Sequence, residues 1–257
     1  MFRNQYDTDV TTFSPQGRLH QIEYAQEAVK QGSAVVGVRN KNYAVLATLK
    51  RTTSDLASTQ KKLFRIDDHV GMAIAGLTAD ARLLSKYMRT ECLNYKYVYE
   101  CAMPLSRLVL RVADKHQIAT QRVSKRPFGV GLLIIGYDQQ GPHLYETSPS
   151  GEYWEYRAMS IGARAQSART YLEKLFETLD SCSLDQLCRH AILALRETVT
   201  ALKDIDLSTK NCALAIVGKD MDFTVYEDED ILPYLDVIQT VRSQEMDGNT
   251  MYPKYFY

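Results

Sequence analysis

The sequence predicts an α+β fold, a four-layer αββα sandwich with two β-sheets face to face and a helix pair outside each. Three observations predict it. Stretches with apolar residues at helical spacing come in pairs, over residues 78–92 with 104–113 and over 168–179 with 183–199. Short, almost wholly apolar runs bounded by turn residues stand in groups between those pairs. No linker-like stretch divides the 257 residues, and a hydrophobic content of 45% supplies the core of one large domain.

The elements follow in order. Residues 1–13 have neither periodicity nor a cap and, taken alone, read as a mobile tail. A helix is predicted over residues 15–31. Ser14 would cap it, Pro15 would occupy the first helical position, and Gly32 would close it. Leu19, Ile22, Ala25 and Val29 make its apolar stripe, which needs a partner surface. Ala34–Val38 and Tyr43–Ala47 read as a hairpin around Asn40-Lys41-Asn42, and Leu63–Ile66 with Val70–Ala75 as a second. Thr78 would cap a helix striped by Leu83, Leu84, Tyr87, Met88 and Cys92. Pro104 opens another, striped by Leu105, Leu108, Val109, Val112 and Ala113. Gly129–Tyr137, Leu144–Thr147 and Trp154–Ile161 read as three strands. Ala168, Tyr171, Leu172, Leu175, Phe176 and Leu179 stripe the next helix. Ser183-x-x-Gln186 is a capping box that opens the last of the pair. Ala213–Val217 and Phe223–Tyr226 form a final hairpin, followed by a helix over Ile231–Val241. The organisation expected is a tail (1–13), one domain (14–245) and a loose tail (246–257).

Composition excludes several function classes. Lys and Arg number 31, as do Asp and Glu, so net charge gives no support to nucleic-acid or anionic-membrane binding. The longest apolar run, from Gly129 to Tyr137, is too short to span a bilayer, and the first residues carry no signal-peptide core. The five cysteines lack a C-x-x-C spacing, which favours reduced thiols in the cytoplasm or nucleus. Ser58-x-x-Lys61 lacks the companion motifs of a serine hydrolase. Gly129-Val130-Gly131 lacks the third glycine of a dinucleotide fingerprint and reads as a buried strand with a close neighbour. The five histidines are scattered without a metal-ligand pair, His116 reading as a packed residue, and no cofactor or metal is expected. Asp228-Glu229-Asp230 reads as a helix N-terminus.

Tyr6-Asp7, then Phe13-Ser14-Pro15-x-Gly17-Arg18-Leu19-x-Gln21-Ile22-Glu23-Tyr24-Ala25 and on to Gly32, resembles the N-terminal signature of proteasome alpha subunits. The resemblance continues through Arg126-Pro127-Phe128-Gly129-Val130 and Ile216-Val217-Gly218-Lys219-Asp220, and so covers nearly the whole chain. It implies the N-terminal-nucleophile hydrolase fold. It also implies a non-catalytic place in a hetero-heptameric alpha ring that docks on a beta ring and binds regulatory activators.

The resemblance also implies sites. Tyr6, Asp7, Pro15 and Tyr24 match the cluster that holds the tails around the axial gate in an ordered open arrangement. Lys62, with Gly17 and Leu19 nearby, matches a pocket for the C-terminal carboxylate of an activator. The match is anchored on Ile66-Asp67-Asp68, with Lys61 one residue away, and the Lys62 ammonium is expected to reach the surface. Ser33 falls where catalytic beta chains start with their nucleophile, a chemistry that needs the free α-amine of an N-terminal residue as base. Ser33 stands behind a helix instead. Leu49 falls in the acid's place, Gly162-Ala163-Arg164 in that of the supporting Ser-Gly-Ser, and only Lys62 matches. Catalytic residues are therefore expected to be absent. The alternative is a self-processed serine amidohydrolase beginning at Ser33.

Overall fold

The computed structural model describes residues 5–51, 56–57, 60–199 and 207–235. After helix α1 (His20–Gln31) come strands β1 (Val35–Arg39), β2 (Tyr43–Leu49), β3 (Leu63–Asp67) and β4 (Val70–Gly76). Helices α2 (Thr78–Tyr99) and α3 (Leu105–Gln121) follow, then β5 (Val130–Asp138), β6 (Gly141–Thr147), β7 (Tyr153–Glu155) and β8 (Ala158–Ile161). Then come α4 (Ala165–Leu175), α5 (Leu184–Val199), β9 (Cys212–Gly218) and β10 (Met221–Glu227). The strands form two antiparallel five-stranded sheets, in the orders β10-β9-β2-β1-β8 and β3-β4-β5-β6-β7.

Side chains alternate between two cores along each central strand, because successive residues point to opposite faces. Ala44 and Leu46 of β2 meet Leu133 and Ile135 of β5 between the sheets. Val45, Ala47 and Leu49 turn outward under α4 and α5, while Leu132 and Ile134 turn outward under α2 and α3. Burial on both faces is why these strands read as continuous apolar runs. The result is the predicted sandwich. Helix α1 lies outside the four layers, across the ends of β4 and β5. Its seat is lined by glycine. A Cβ on Gly32 would stand 2.2 Å from the Gly76 backbone nitrogen, and one on Gly131 would stand 2.9 Å from Val29 Cγ1. Gly32→Ala should therefore cost about 3 kcal/mol or more, since backbone cannot step aside as a side chain does. Urea unfolding of the variant chain checks this, and a loss below about 1 kcal/mol would show that the seat is slack.

Several elements differ from their prediction. The helix expected over residues 15–31 starts at His20. Ser14 to Gly17 form a β-turn in which Gly17 N–H donates to the Ser14 carbonyl at 2.8 Å, and Gly17 has φ +76°, which no right-handed helix continues. Ser14 Oγ accepts from the Arg18 N–H at 3.1 Å inside that turn, so it caps the turn and not the helix. Gly32 does end the helix, in an extended conformation; close approach, and not a left-handed φ, requires glycine there. Thr78 is the first residue of α2, with Leu77 before it making no side-chain cap. Leu105 N–H at the start of α3 is bonded from across the fold, by Asp138 Oδ2 at 3.2 Å. The Ser183–Gln186 capping box forms as predicted, with both reciprocal bonds present. The run expected as one strand over Trp154–Ile161 is two: β7 pairs with β6 in one sheet, and β8 with β1 in the other. Leu83 and Phe176, expected in apolar stripes, are exposed. Asp228–Ile231 is a 3-10 turn, and Asp228 Oδ1 lies 3.3 Å from the buried Lys50 ammonium. The expected helix over Ile231–Val241 is seen as far as residue 235, and its remainder and the tail 246–257 lie outside the described residues.

Candidate functional site

The N-terminal segment is tied to α1. Tyr24 sits on the outer face of the helix, one turn after Gln21, so both side chains meet the same stretch of tail. The Tyr24 hydroxyl donates to Asp7 Oδ2 at 3.0 Å, and the Gln21 amide donates to the Asp7 carbonyl. Val10 is buried and anchors the segment a further three residues on. The tail from Gln5 is thus docked. Of the four residues expected to cluster, Asp7 and Tyr24 meet directly. Tyr6 is half-buried beside them in sequence, and Pro15 is exposed in the turn before α1. Gln21 belongs to the arrangement and was missed, because a polar residue on a helix carries no signal of its own. In the same turn Arg18 makes a two-pronged pair with Glu23, at 2.5 and 2.7 Å.

The expected stripe of α1 is buried unevenly. Ala25 is buried, while Leu19, Ile22 and Val29 are half-buried. His20, which the stripe did not include, is buried.

The second constellation gathers at the junction of α1 and β1. Ser33 is buried and its Oγ donates to the Leu49 carbonyl at 2.8 Å. Lys62 Nζ donates to the Ser33 carbonyl at 2.6 Å and to Ser33 Oγ. The turn at Gly162, φ +94°, presses on the same place: Ala163 N–H donates to the Gly32 carbonyl at 2.7 Å. Ser33, Leu49, Lys62 and Gly162 therefore meet in space. The expectation that the Lys62 ammonium reaches the surface is not met, since Lys62 is 9% exposed. Neighbouring residues of an extended chain face opposite ways. Lys61 takes the solvent side, and Lys62 turns in toward the acceptors on Ser33. Burial, with a smaller contribution from the charge of Arg51, pushes the Lys62 pKa down from 10.5 to about 7. Among the described residues no carboxylate approaches this pair, and Ser33 enters it through a peptide nitrogen, not a free amine.

A family model described as the proteasome subunit matches residues 29–217, and one for the N-terminal signature of A-type proteasome subunits matches residues 6–28. The chain belongs to the proteasome alpha subunit family. It is 56% identical over 249 residues to a Dictyostelium discoideum protein named as an alpha type-1 proteasome subunit, covering 97% of this chain and 100% of that one. It is 51% identical to the Drosophila melanogaster protein of the same name, covering 97% and 88%. A Schizosaccharomyces pombe protein named as a probable alpha type-6 proteasome subunit is 52% identical, covering 92% and 86%. The chain is accordingly a member of the alpha ring of the 20S core, and assembles with other proteasome subunits.

The remaining proteasome alpha features are structural. Asp80 of α2 holds Arg126 through two bonds, at 2.7 and 2.8 Å, and accepts the Gly129 N–H at 2.9 Å. This knot fixes the Arg126–Val130 motif under the seat of α1. His116 is fully buried against Phe128, with ring centroids 5.2 Å apart. Burial pushes its pKa down to about 4, so it is neutral at ordinary pH. Among the described residues no cluster could hold a metal ion, and no helix is long and apolar enough to cross a membrane.

Proposed function

We propose that this member of the alpha ring is non-catalytic and works in assembly and gating, with peptide hydrolysis left to the beta subunits. The environment of Ser33 carries the reading. A nucleophile of this family type needs a free α-amine as its base, and the Ser33 nitrogen is in a peptide bond after a folded helix. Its hydroxyl hydrogen is directed to the Leu49 carbonyl, and the acid's place holds a leucine. Ser33→Ala in an assembled core should leave peptide hydrolysis within about twofold of wild type. A loss beyond tenfold, roughly 1.4 kcal/mol of barrier, would overturn the reading.

The docked tail supports gating by residues 1–12, with Tyr6, Asp7, Pro15 and Tyr24 holding it in an ordered open state. The half-buried Leu19 and Ile22 support contact of α1 with neighbouring subunits, while Val29 packs on the domain's own core. A row of exposed apolar residues near the end of α2, Leu93, Tyr97, Val98 and Tyr99, supports a further interface between subunits, with the beta ring as its partner. Lys62, with Gly17 and Leu19, takes the carboxylate at the end of an activator chain. The inward Lys62 Nζ supports this, because among the described residues it has neutral acceptors only, and a buried amine without a counter-charge favours an incoming carboxylate. All five cysteines are free thiols, which supports residence in the cytoplasm and nucleus.

A further inference from the structure

Two lysines are buried at this end of the sandwich, and they differ in one respect. Lys50 has a counter-charge, Asp228, at 3.3 Å. Lys62 has, among the described residues, two neutral acceptors, both on Ser33. The Ser33 hydroxyl spends its own hydrogen on the Leu49 carbonyl, so toward Lys62 it can only accept. An amine has two N–H bonds to give and an ammonium three. The site as built offers acceptors for two.

Among the described residues, the charged groups on the elements packed around this pair do not supply a third. At the end of α1, Lys30 is paired with Glu27 at 2.6 Å. At the end of β2, Lys50 is neutralised by Asp228, and Arg51 acts on Lys62 with a charge of the same sign. Lys61 precedes it and Arg164 stands in the turn beside Ser33, both basic and both exposed. On strand β3, which follows it, Arg65 is bonded to Asp68.

We propose that Lys62 rests as a neutral amine clasped by Ser33, and that a peptide C-terminal carboxylate docks on it only with uptake of one proton, so that occupancy of this pocket is linked to pH. This rests on the reading of Lys62 as the carboxylate-pocket residue. The step is RCOO⁻ + Lys–NH₂ + H⁺ → RCOO⁻···⁺H₃N–Lys, with no covalent bond made or broken between the partners beyond the N–H formed by the proton. The added hydrogen supplies the third donor, directed at the carboxylate, while the two bonds to Ser33 stay. The lowered pKa of Lys62, about 7, puts the change within the physiological range. A folded-state pKa held below the ordinary lysine value means that the ammonium is present below pH 7 and lost above it. Docking therefore weakens as pH rises.

The test uses cores assembled with wild-type, Lys62→Met and Lys62→Arg chains. The probe is a synthetic activator C-terminal peptide with a free carboxylate, against the same peptide amidated. Titration calorimetry at pH 6, 7 and 8, in buffers of different ionisation enthalpy, gives affinity and protons taken up. The part of the affinity lost in Lys62→Met should fall about tenfold from pH 6 to pH 8, with about half a proton taken up per pocket at pH 7. The Lys62→Arg pocket, always charged, should show neither effect, and the amidated peptide should bind all three cores alike. If Lys62→Met weakens binding equally at pH 6 and pH 8 with no proton uptake, the pocket stands and the linkage is overturned. If Lys62→Met binds the peptide as wild type does at pH 6, the pocket reading falls and the proposal with it. Competitive acetylation of Lys62 in the wild-type core, followed against pH by mass spectrometry, reports its ionisation without any variant. A midpoint near 10 there would overturn the proposal.

Discussion

A chain carrying Leu19→Asp together with Ile22→Asp should fold and yet fail to enter the ring. Both residues are half-buried on α1, at its start and on its first turn, while the contacts that hold the helix to the domain lie at Ala25, Val29 and the glycine seat. Aspartate at these two positions can stay hydrated in the isolated chain. In a ring that buries the same face, each carboxylate would be stripped of water without a partner. At about 2–3 kcal/mol each, the pair costs on the order of 5 kcal/mol, several thousandfold in the assembly equilibrium. Native gel electrophoresis of the co-expressed alpha ring reads incorporation, and circular dichroism of the free chain reads folding. Normal incorporation of the double variant would remove α1 from the interface.

Deleting residues 1–12 should raise basal peptide hydrolysis by the latent core, because the segment is then absent and cannot obstruct the pore in the closed state. The contacts at stake are the Tyr24 and Gln21 bonds to Asp7 and the buried Val10. A hydrogen bond of this kind is worth about 1 kcal/mol, so the tail's docked state is held by a small margin. A change of that size in the gate equilibrium gives roughly fivefold. Tyr24→Phe acts instead on the ordered open arrangement that the Asp7 contacts hold. It removes one hydroxyl and keeps the ring, and should reduce activator-stimulated opening about fivefold while leaving the closed core alone. An unchanged basal rate after deletion, with assembly intact, would mean that other chains close the gate.

Most of the fold was legible because burial on both faces writes itself into strands as unbroken apolar runs, and into helices as stripes. What failed had physical reasons. Ser14-Pro15-Gln16-Gly17 satisfies the rules for a helix start and equally those for a β-turn, and the positive φ of Gly17 decides for the turn. The break between β7 and β8 falls at Tyr156-Arg157, with no glycine or proline to announce it. Only pairing across the fold, such as Arg39 N–H to the Arg157 carbonyl at 2.8 Å, tells the two strands apart. The start of α3 takes its cap from Asp138, which is distant in sequence. Of the candidate sites, the match of Asp7 with Tyr24 was visible in the motif, whereas the inward turn of Lys62 was not. Two adjacent lysines look alike until the folded chain leading into β3 exposes one and buries the other.

The most direct measurement of the central claim, that this chain assembles and gates without catalysing, is the intact mass of the chain from a purified core treated with a hydroxyl-directed electrophile that labels catalytic N-terminal residues. The label should fall on beta subunits only, with this chain unlabelled and of a mass that includes residues 3–32. A chain beginning at Ser33 and carrying the label would contradict it.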